Sequence, residues 1–280
     1  MSYLVSVKWL AKRLEKNPEN TVVIDVRFSL NDASAGKNAY AEGHIPEAIY
    51  LDLNKDLSGP VQKHGGNHPL PNVDDFSTKL SEIGIDNETT VVIYDQYNDM
   101  FAARLWWLLQ YFGHEKAFVL DGGLDEWIKQ GHVITNKIPV PSMKQFKPNI
   151  REDMVVDIDG VKEKMRDKFS ILIDSRAKDR YLGKTEPLYA KAGHIPSATN
   201  YFWKDVLDEK GVWKSKEGLQ THFAKLPKEN EIIVSCGSGV SACPNVLALK
   251  LAGYENVKLY PGSFSDWISY DENEVETKEE

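Results

Sequence analysis

The chain has 280 residues, 41% hydrophobic and 27% charged, a balance typical of soluble globular proteins and a length that suits two ordinary domains. Its formal net charge of −8, from 34 basic and 42 acidic residues, offers no general attraction to nucleic acid or anionic lipid, and much of it falls in the tail DENEVETKEE, which reads as a frayed, solvated end. The opening MSYLVSVKWLAKRLEKN lacks a signal-peptide core and no stretch approaches the roughly 18 apolar residues of a membrane helix, so a cytoplasmic protein with no membrane or nucleic-acid partner is expected.

In chain order, VSVKWLAKRLEK spaces its apolar residues as a helix does, and TVVID with the following Val26 reads as a strand buried on both faces. AIYLDL is a second such run. VDDFSTKLSEIG is helical, TVVIYD a strand, MFAARLWWLLQYFG a helix, AFVLDG a strand and GLDEWIKQG a helix. NKIPVPSMKQFKPNIRED, with three prolines and little apolar pattern, reads as a connection.

Beyond it the sequence repeats itself. VVIDVR at 22 is answered by ILIDSR at 171, GHIPEA at 43 by GHIPSA at 193, VVIYDQ at 91 by IIVSCG at 232, and LDGGLDEW at 120 by YPGSFSDW at 260. The order is preserved and the period is the length of a domain, which implies a duplicated unit. Alternating strands and helices make each copy an α/β domain: a small, mainly parallel sheet flanked by helices. The expected division is a first domain over 1–137, a linker over 138–152 and a second domain over 153–280.

EIIVSCGSGVSACPNVLALKLAG reads as strand, glycine-rich loop and helix, the helix starting near Ser241 or Ala242. Ligands of parallel sheets bind beyond the carboxyl ends of strands, where Cys236 stands, and a helix N-terminus aimed at the loop favours a thiolate. The equivalent residue of the first copy is Asp95, so sulfur chemistry is confined to the second. Successive amides of Gly237, Ser238, Gly239, Val240 and Ser241 suit an anion such as a persulfide. Rival readings are weaker. Two cysteines seven apart with no neighbouring histidine do not make a zinc site or a Cys-x-x-Cys redox pair. A phosphatase loop needs an arginine where Ala242 stands. An inert, packed Cys236 stays open, and Cys243 reads as a buried helix residue. No metal or cofactor is expected.

The paired GHIP motifs, IDSR, CGSGVSAC and PGSFSDW together resemble the two-domain rhodanese-type sulfurtransferases over nearly the whole chain. That resemblance implies an inactive first domain and a second whose Cys236 carries sulfane sulfur between a small-molecule donor and a thiol acceptor such as thioredoxin, or cyanide. Loops of this kind are similar to those of the 3-mercaptopyruvate branch, whereas thiosulfate-preferring relatives place Arg and Lys where Gly237 and Ser238 stand. Thiosulfate is the alternative donor, and a non-catalytic binding or thiol-sensing module is the alternative of another class. The resemblance further implies that Ser238 works with His68 of NHPLP, supplied across the domain interface, and that Arg180 binds the donor carboxylate. The matching acid falls at Asn54, leaving Asp52 or Asp56 as substitutes. A second arginine of the family reads Leu188 and Tyr189. His44 and His194 of GHIP, Arg27 and Arg176, and Trp127 and Trp267 recur in both halves and read as structural.

Overall fold

A computed structural model describes residues 2–278. The chain forms two compact units. The first comprises the residues up to Gly59, Pro71–Arg151 and Glu209–Trp213; the second comprises Pro60–Leu70, Glu152–Asp208 and the residues from Lys214 onward.

The first unit contains β1 (Leu4–Val5), α1 (Val7–Lys16), β2 (Thr21–Asp25), α2 (Ala35–Glu42), β3 (Ala48–Tyr50), α3 (Val73–Glu82), β4 (Thr90–Tyr94), α4 (Met100–Tyr111), β5 (Ala117–Leu120) and α5 (Gly123–Lys129). Its strands lie in the order β1-β5-β4-β2-β3, all pairs parallel. The second contains α6 (Ile158–Lys164), β6 (Ser170–Asp174), α7 (Lys178–Tyr181), β7 (Thr199–Asn200), α8 (Lys216–His222), β8 (Glu231–Ser235), α9 (Cys243–Ala252), β9 (Val257–Leu259) and α10 (Ser263–Trp267), with a parallel sheet ordered β7-β6-β8-β9. Central strands β4 and β8 are buried at every residue, which explains their unbroken runs of β-branched side chains. Helices start where a side chain satisfies their first amides: Ser6 accepts from Trp9 N, and Asn72 from Asp74 N and Asp75 N. Among the described residues no helix is long and apolar enough to cross a membrane.

The duplication reaches individual hydrogen bonds. Arg27 pairs with Asp25 at 2.7 Å and donates to Gly43 O; Arg176 pairs with Asp174 at 2.6 Å and donates to Gly193 O. His44 stacks on Tyr40 and bonds its carbonyl through Nδ1, as His194 does with Tyr181. Trp127 and Trp267 each belong to the core of their own unit.

Four features differ from the expectation. Helix α2 arises from AGKNAYAE, whose apolar pattern is too weak to announce it. Residues 60–70 belong to the second unit and 209–213 to the first, so the division is not purely sequential. The connecting segment is laid along the first unit: Phe146 is buried, Lys144 N bonds Ser81 O, and Asn149 N and Arg151 N bond the carbonyls of Phe112 and Tyr111. The acidic tail is not a frayed end over 271–278; its last two residues lie outside the described residues. Glu276 exchanges backbone bonds with His194, Trp267 Nε1 donates to Glu274 O, and Asn273 is buried. The first unit closes the same way, with His44 paired to Thr135. Charge composition misread this tail because the attachment is made largely by its backbone, with the Glu276 carboxylate adding a bond from Ser197 N at 3.3 Å.

Truncation after Asp271 should therefore destabilise the second unit by about 1–3 kcal/mol, the sum of a few lost hydrogen bonds and some apolar burial. Urea unfolding of the truncated and full chains checks this; equal midpoints and slopes would restore the solvated-tail reading.

Candidate active site

Strand β8 ends at Ser235 and delivers Cys236 to the carboxyl edge of the sheet, almost wholly buried. Its sulfur accepts the Gly239 N–H at 3.2 Å. Its own N–H donates to Ser263 Oγ at 3.0 Å, and that hydroxyl donates onward to Tyr260 O. Phe264 N and Ser265 N, at the start of α10, bond the carbonyls of Cys236 and Gly237. The loop is thus held from two sides. Gly239 has φ 76°, and a Cβ there would lie 2.3 Å from Pro261 O, so both the backbone conformation and the close approach require glycine. Ser263 adopts φ 52° without being glycine, a strained conformation that sets its hydroxyl beneath Cys236.

Val240 is buried and Ser241 half-buried as they lead into α9, which begins at Cys243 after Ala242, one or two residues later than its sequence predicts. Cys243 is buried, and its thiol bonds Gly239 O at 3.3 Å, closing the loop from behind. Both cysteines are free thiols.

Segment 60–70 completes this edge of the second unit. Gly65 N bonds Asp266 Oδ1 at 2.7 Å, Asn67 N bonds Ser265 Oγ, and His64 bonds Ser269 while stacking on Tyr270. Gly66 at φ 82° permits the chain to pass Gly262, whose carbonyl would lie 2.5 Å from a Cβ at 66. The segment brings His68 Nδ1 to 2.7 Å from Ser238 Oγ, two residues after Cys236. The hydroxyl and the imidazole expected to work together are in hydrogen-bond contact.

Arg180, on α7, has its Nε and Nη2 on Glu186, at 3.2 and 2.8 Å. Glu186 also meets Arg176 Nη1 at 3.3 Å. Burial works against the charge of Arg176, but Asp174 and Glu186 overcome it and raise its pKa. A guanidinium has five N–H donors, so an incoming carboxylate would meet Arg180 beside Glu186, at the Nη1 edge. Glu186 and Tyr189 were not among the sequence candidates; the only signal for them is their place in the TEPLY stretch, where the family resemblance expects a second arginine. Asp52 and Asp56 are occupied in a turn of the first unit: Asp52 accepts from Asn54 N and Lys55 N, and Asp56 from Asp52 N. Among the described residues no group of three or more His, Cys, Asp or Glu is arranged to hold a metal ion.

The corresponding edge of the first unit ends in Asp95, whose carbonyl accepts from Leu124 N as that of Cys236 does from Phe264 N. The Asp95 carboxylate fills its own loop, accepting from Asp99 N and Ala102 N. Burial, reinforced by Asp99, pushes its pKa up to about 7.

The sequence profile of the Rhodanese-like domain matches residues 6–130 and 157–270. A probable 3-mercaptopyruvate sulfurtransferase of Pseudomonas aeruginosa is 37% identical over 95% of both chains. A thiosulfate sulfurtransferase of Cricetulus griseus is 33% identical, covering 95% of this chain and 91% of its own. The crystal structure of SseA from Escherichia coli, a 3-mercaptopyruvate sulfotransferase, has a TM-score of 0.84 at 30% identity, covering 95% of this chain and 100% of that one.

Two outcomes follow from the geometry. Gly239→Ala should cost about 2–4 kcal/mol of stability, from the strained φ and the clash with Pro261 O, and should displace the amide from the sulfur. Thermal unfolding and the alkylation rate of Cys236 read both effects; a variant as stable and as reactive as the parent would contradict them. Asp95 has a folded-state pKa above its unfolded value, so its contribution is complete below about pH 4 and is lost as pH rises through about 7. Between pH 5 and 8 the parent should lose more stability than Asp95→Ala, and parallel pH curves would refute that assignment.

Proposed function

The chain belongs to the rhodanese-like sulfurtransferases, and on that premise we propose that Cys236 carries sulfane sulfur from 3-mercaptopyruvate to a thiol, with reduced thioredoxin or cyanide as acceptors. The observation that carries this reading is a buried cysteine accepting a loop amide, with a Ser238–His68 pair beside it and no cation in the loop itself. Three links support the mechanism. A thiolate at the end of β8 is the nucleophilic form, and the Gly239 N–H stabilises both it and the anionic terminal sulfur of a persulfide. The neutral side chains at 237 and 238 offer little to a doubly charged donor and suit one bearing a single carboxylate, for which Arg180 is the partner. Ser238 supplies the proton that the pyruvate enolate needs after the carbon–sulfur bond breaks, a role supported by its hydrogen bond with His68.

The first unit plays no part in sulfur transfer on this reading, because its equivalent loop is filled by the Asp95 carboxylate. The setting is a reducing cytoplasm, where both cysteines persist as thiols. Thiosulfate is the second reading of the donor, favoured by the similarity to thiosulfate sulfurtransferases at 33% identity.

Incubation with 3-mercaptopyruvate should add one sulfur atom, about 32 Da, to the intact protein, and Cys236→Ser should abolish the gain. A gain that survives in the variant would remove Cys236 from the reaction. Ser238→Ala should lower kcat with 3-mercaptopyruvate by about 10²-fold while leaving thiosulfate turnover within a few-fold, since only the former generates an enolate. Equal losses with both donors would strip Ser238 of its proton-donating role. A much larger kcat/KM for thiosulfate in the parent would reverse the donor assignment.

A further inference from the structure

We propose that the Tyr189 hydroxyl recognises the carbonyl oxygen of the donor at Cys236, and so makes the site selective for an α-keto-acid thiol over the thiosulfate dianion. The inference deepens the reading of Cys236 as the sulfur carrier and rests on it.

The hydroxyl stands over the backbone immediately after the sulfur. A Cβ on Gly237 would lie 2.6 Å from Tyr189 Oη and 3.4 Å from its Cζ and Cε2. Gly237 is not among the residues with positive φ, so its lack of a side chain serves this close approach rather than a special turn. The ring is fixed in place. Phe264 meets it edge-on with centroids 5.9 Å apart, the Arg180 guanidinium lies 5.4 Å from its centroid, and it packs against the core of the second unit. Besides burial, the charge of Cys236 acts to raise the pKa of the phenol, while Arg180 acts to lower it. One hydroxyl therefore stands at the backbone next to the sulfur carrier, within electrostatic reach of Cys236 and of the arginine proposed for the carboxylate.

Chemistry then favours one class of donor. Burial, followed by the negative charge at Cys236, raises the Tyr189 pKa, so the phenol keeps its proton near neutrality and acts as a donor of one hydrogen bond without adding positive charge. The positive charge of Arg176 is already opposed by Asp174 and Glu186, and Glu186 also takes two donors of Arg180. A dianion gains little from such a setting. A molecule with one carboxylate and one adjacent carbonyl can give the first to Arg180 and the second to Tyr189.

The step balances without any oxidant or reductant. The Cys236 thiolate attacks the thiol sulfur of 3-mercaptopyruvate, an S–S bond forms and the C–S bond breaks. The thiol hydrogen stays on the transferred sulfur, giving Cys236–S–SH. The C–S electron pair passes into the carbon skeleton as the pyruvate enolate, whose charge lies largely on the former carbonyl oxygen. Tyr189 donates a hydrogen bond to that oxygen, which strengthens as charge develops there, and keeps its proton throughout. The enolate carbon takes its proton from Ser238, which recovers one through His68. Thiosulfate transfer generates no enolate and has no use for the donor.

The test is steady-state kinetics of Tyr189→Phe and Tyr189→Arg in the full chain with both donors, alongside intact mass after each. Tyr189→Phe should lower kcat with 3-mercaptopyruvate at least about tenfold, with KM changed less than about threefold, and leave thiosulfate kcat/KM within about twofold. Tyr189→Arg, which restores a cation, should raise the thiosulfate efficiency and lower that with 3-mercaptopyruvate. Similar losses with both donors in Tyr189→Phe would mark the ring as merely structural and overturn the proposal, as would a variant indistinguishable from the parent. If the parent itself gains no sulfur mass from either donor, the carrier reading fails and this inference falls with it; a parent that gains sulfur while Tyr189→Phe keeps its donor preference sinks the inference alone.

Discussion

The sulfur of Cys236 is held by the near-contact of two backbones: the loop after β8 and the turn after β9. At Gly239 the chain comes so close to Pro261 O that no side chain fits between them. From that contact follow the left-handed turn that aims the Gly239 N–H at the sulfur, the Ser263 hydroxyl beneath the cysteine amide, and the two amides of α10 that fix the carbonyls of Cys236 and Gly237. A parallel sheet supplies the frame, since both turns leave it from the carboxyl ends of neighbouring strands.

The two units show how little a duplicated fold must change to alter what its central loop holds. Each keeps the Asp–Arg pair at the end of β2 or β6, the stacked histidine of GHIP and the bridge that returns the trailing segment to that histidine. These contacts stabilise the edge of the sheet and are indifferent to what the central loop holds. In one unit a loop amide, that of Gly239, meets a sulfur; in the other the amides of Asp99 and Ala102 meet the carboxylate of Asp95. A carboxylate so placed occupies its loop permanently, because it belongs to the chain and cannot leave.

Charge is distributed with similar economy around Cys236. Arg176 is almost fully buried and shared between Asp174 and Glu186, so it acts as internal structure and contributes little free positive potential. Glu186 bridges it to Arg180, which moderates the cation proposed for the donor carboxylate. Neutral donors, Ser238 and Tyr189, occupy the remaining sides. On the proposed reading, directed hydrogen bonds weigh more than net charge in the choice of donor.

Periodicity and self-similarity along the chain determine a great deal: the alternation of strands and helices, the duplication, Cys236 at a strand end against Asp95 in the first copy, and the structural pairs that recur in both halves. These are local, because apolar spacing, glycine positions and repeated motifs act within a few residues. Which distant segments share an edge is decided by the tertiary structure, and for His68 and Ser238 the sequence offered only the family resemblance. His68 reaches Ser238 across 170 residues of sequence because residues 60–70 join the second unit; the acidic tail returns to His194 through its backbone; and Tyr189 lies over Gly237 where a glycine leaves room. Such contacts depend on closing long loops onto a finished sheet, and no spacing along the sequence encodes where that closure falls.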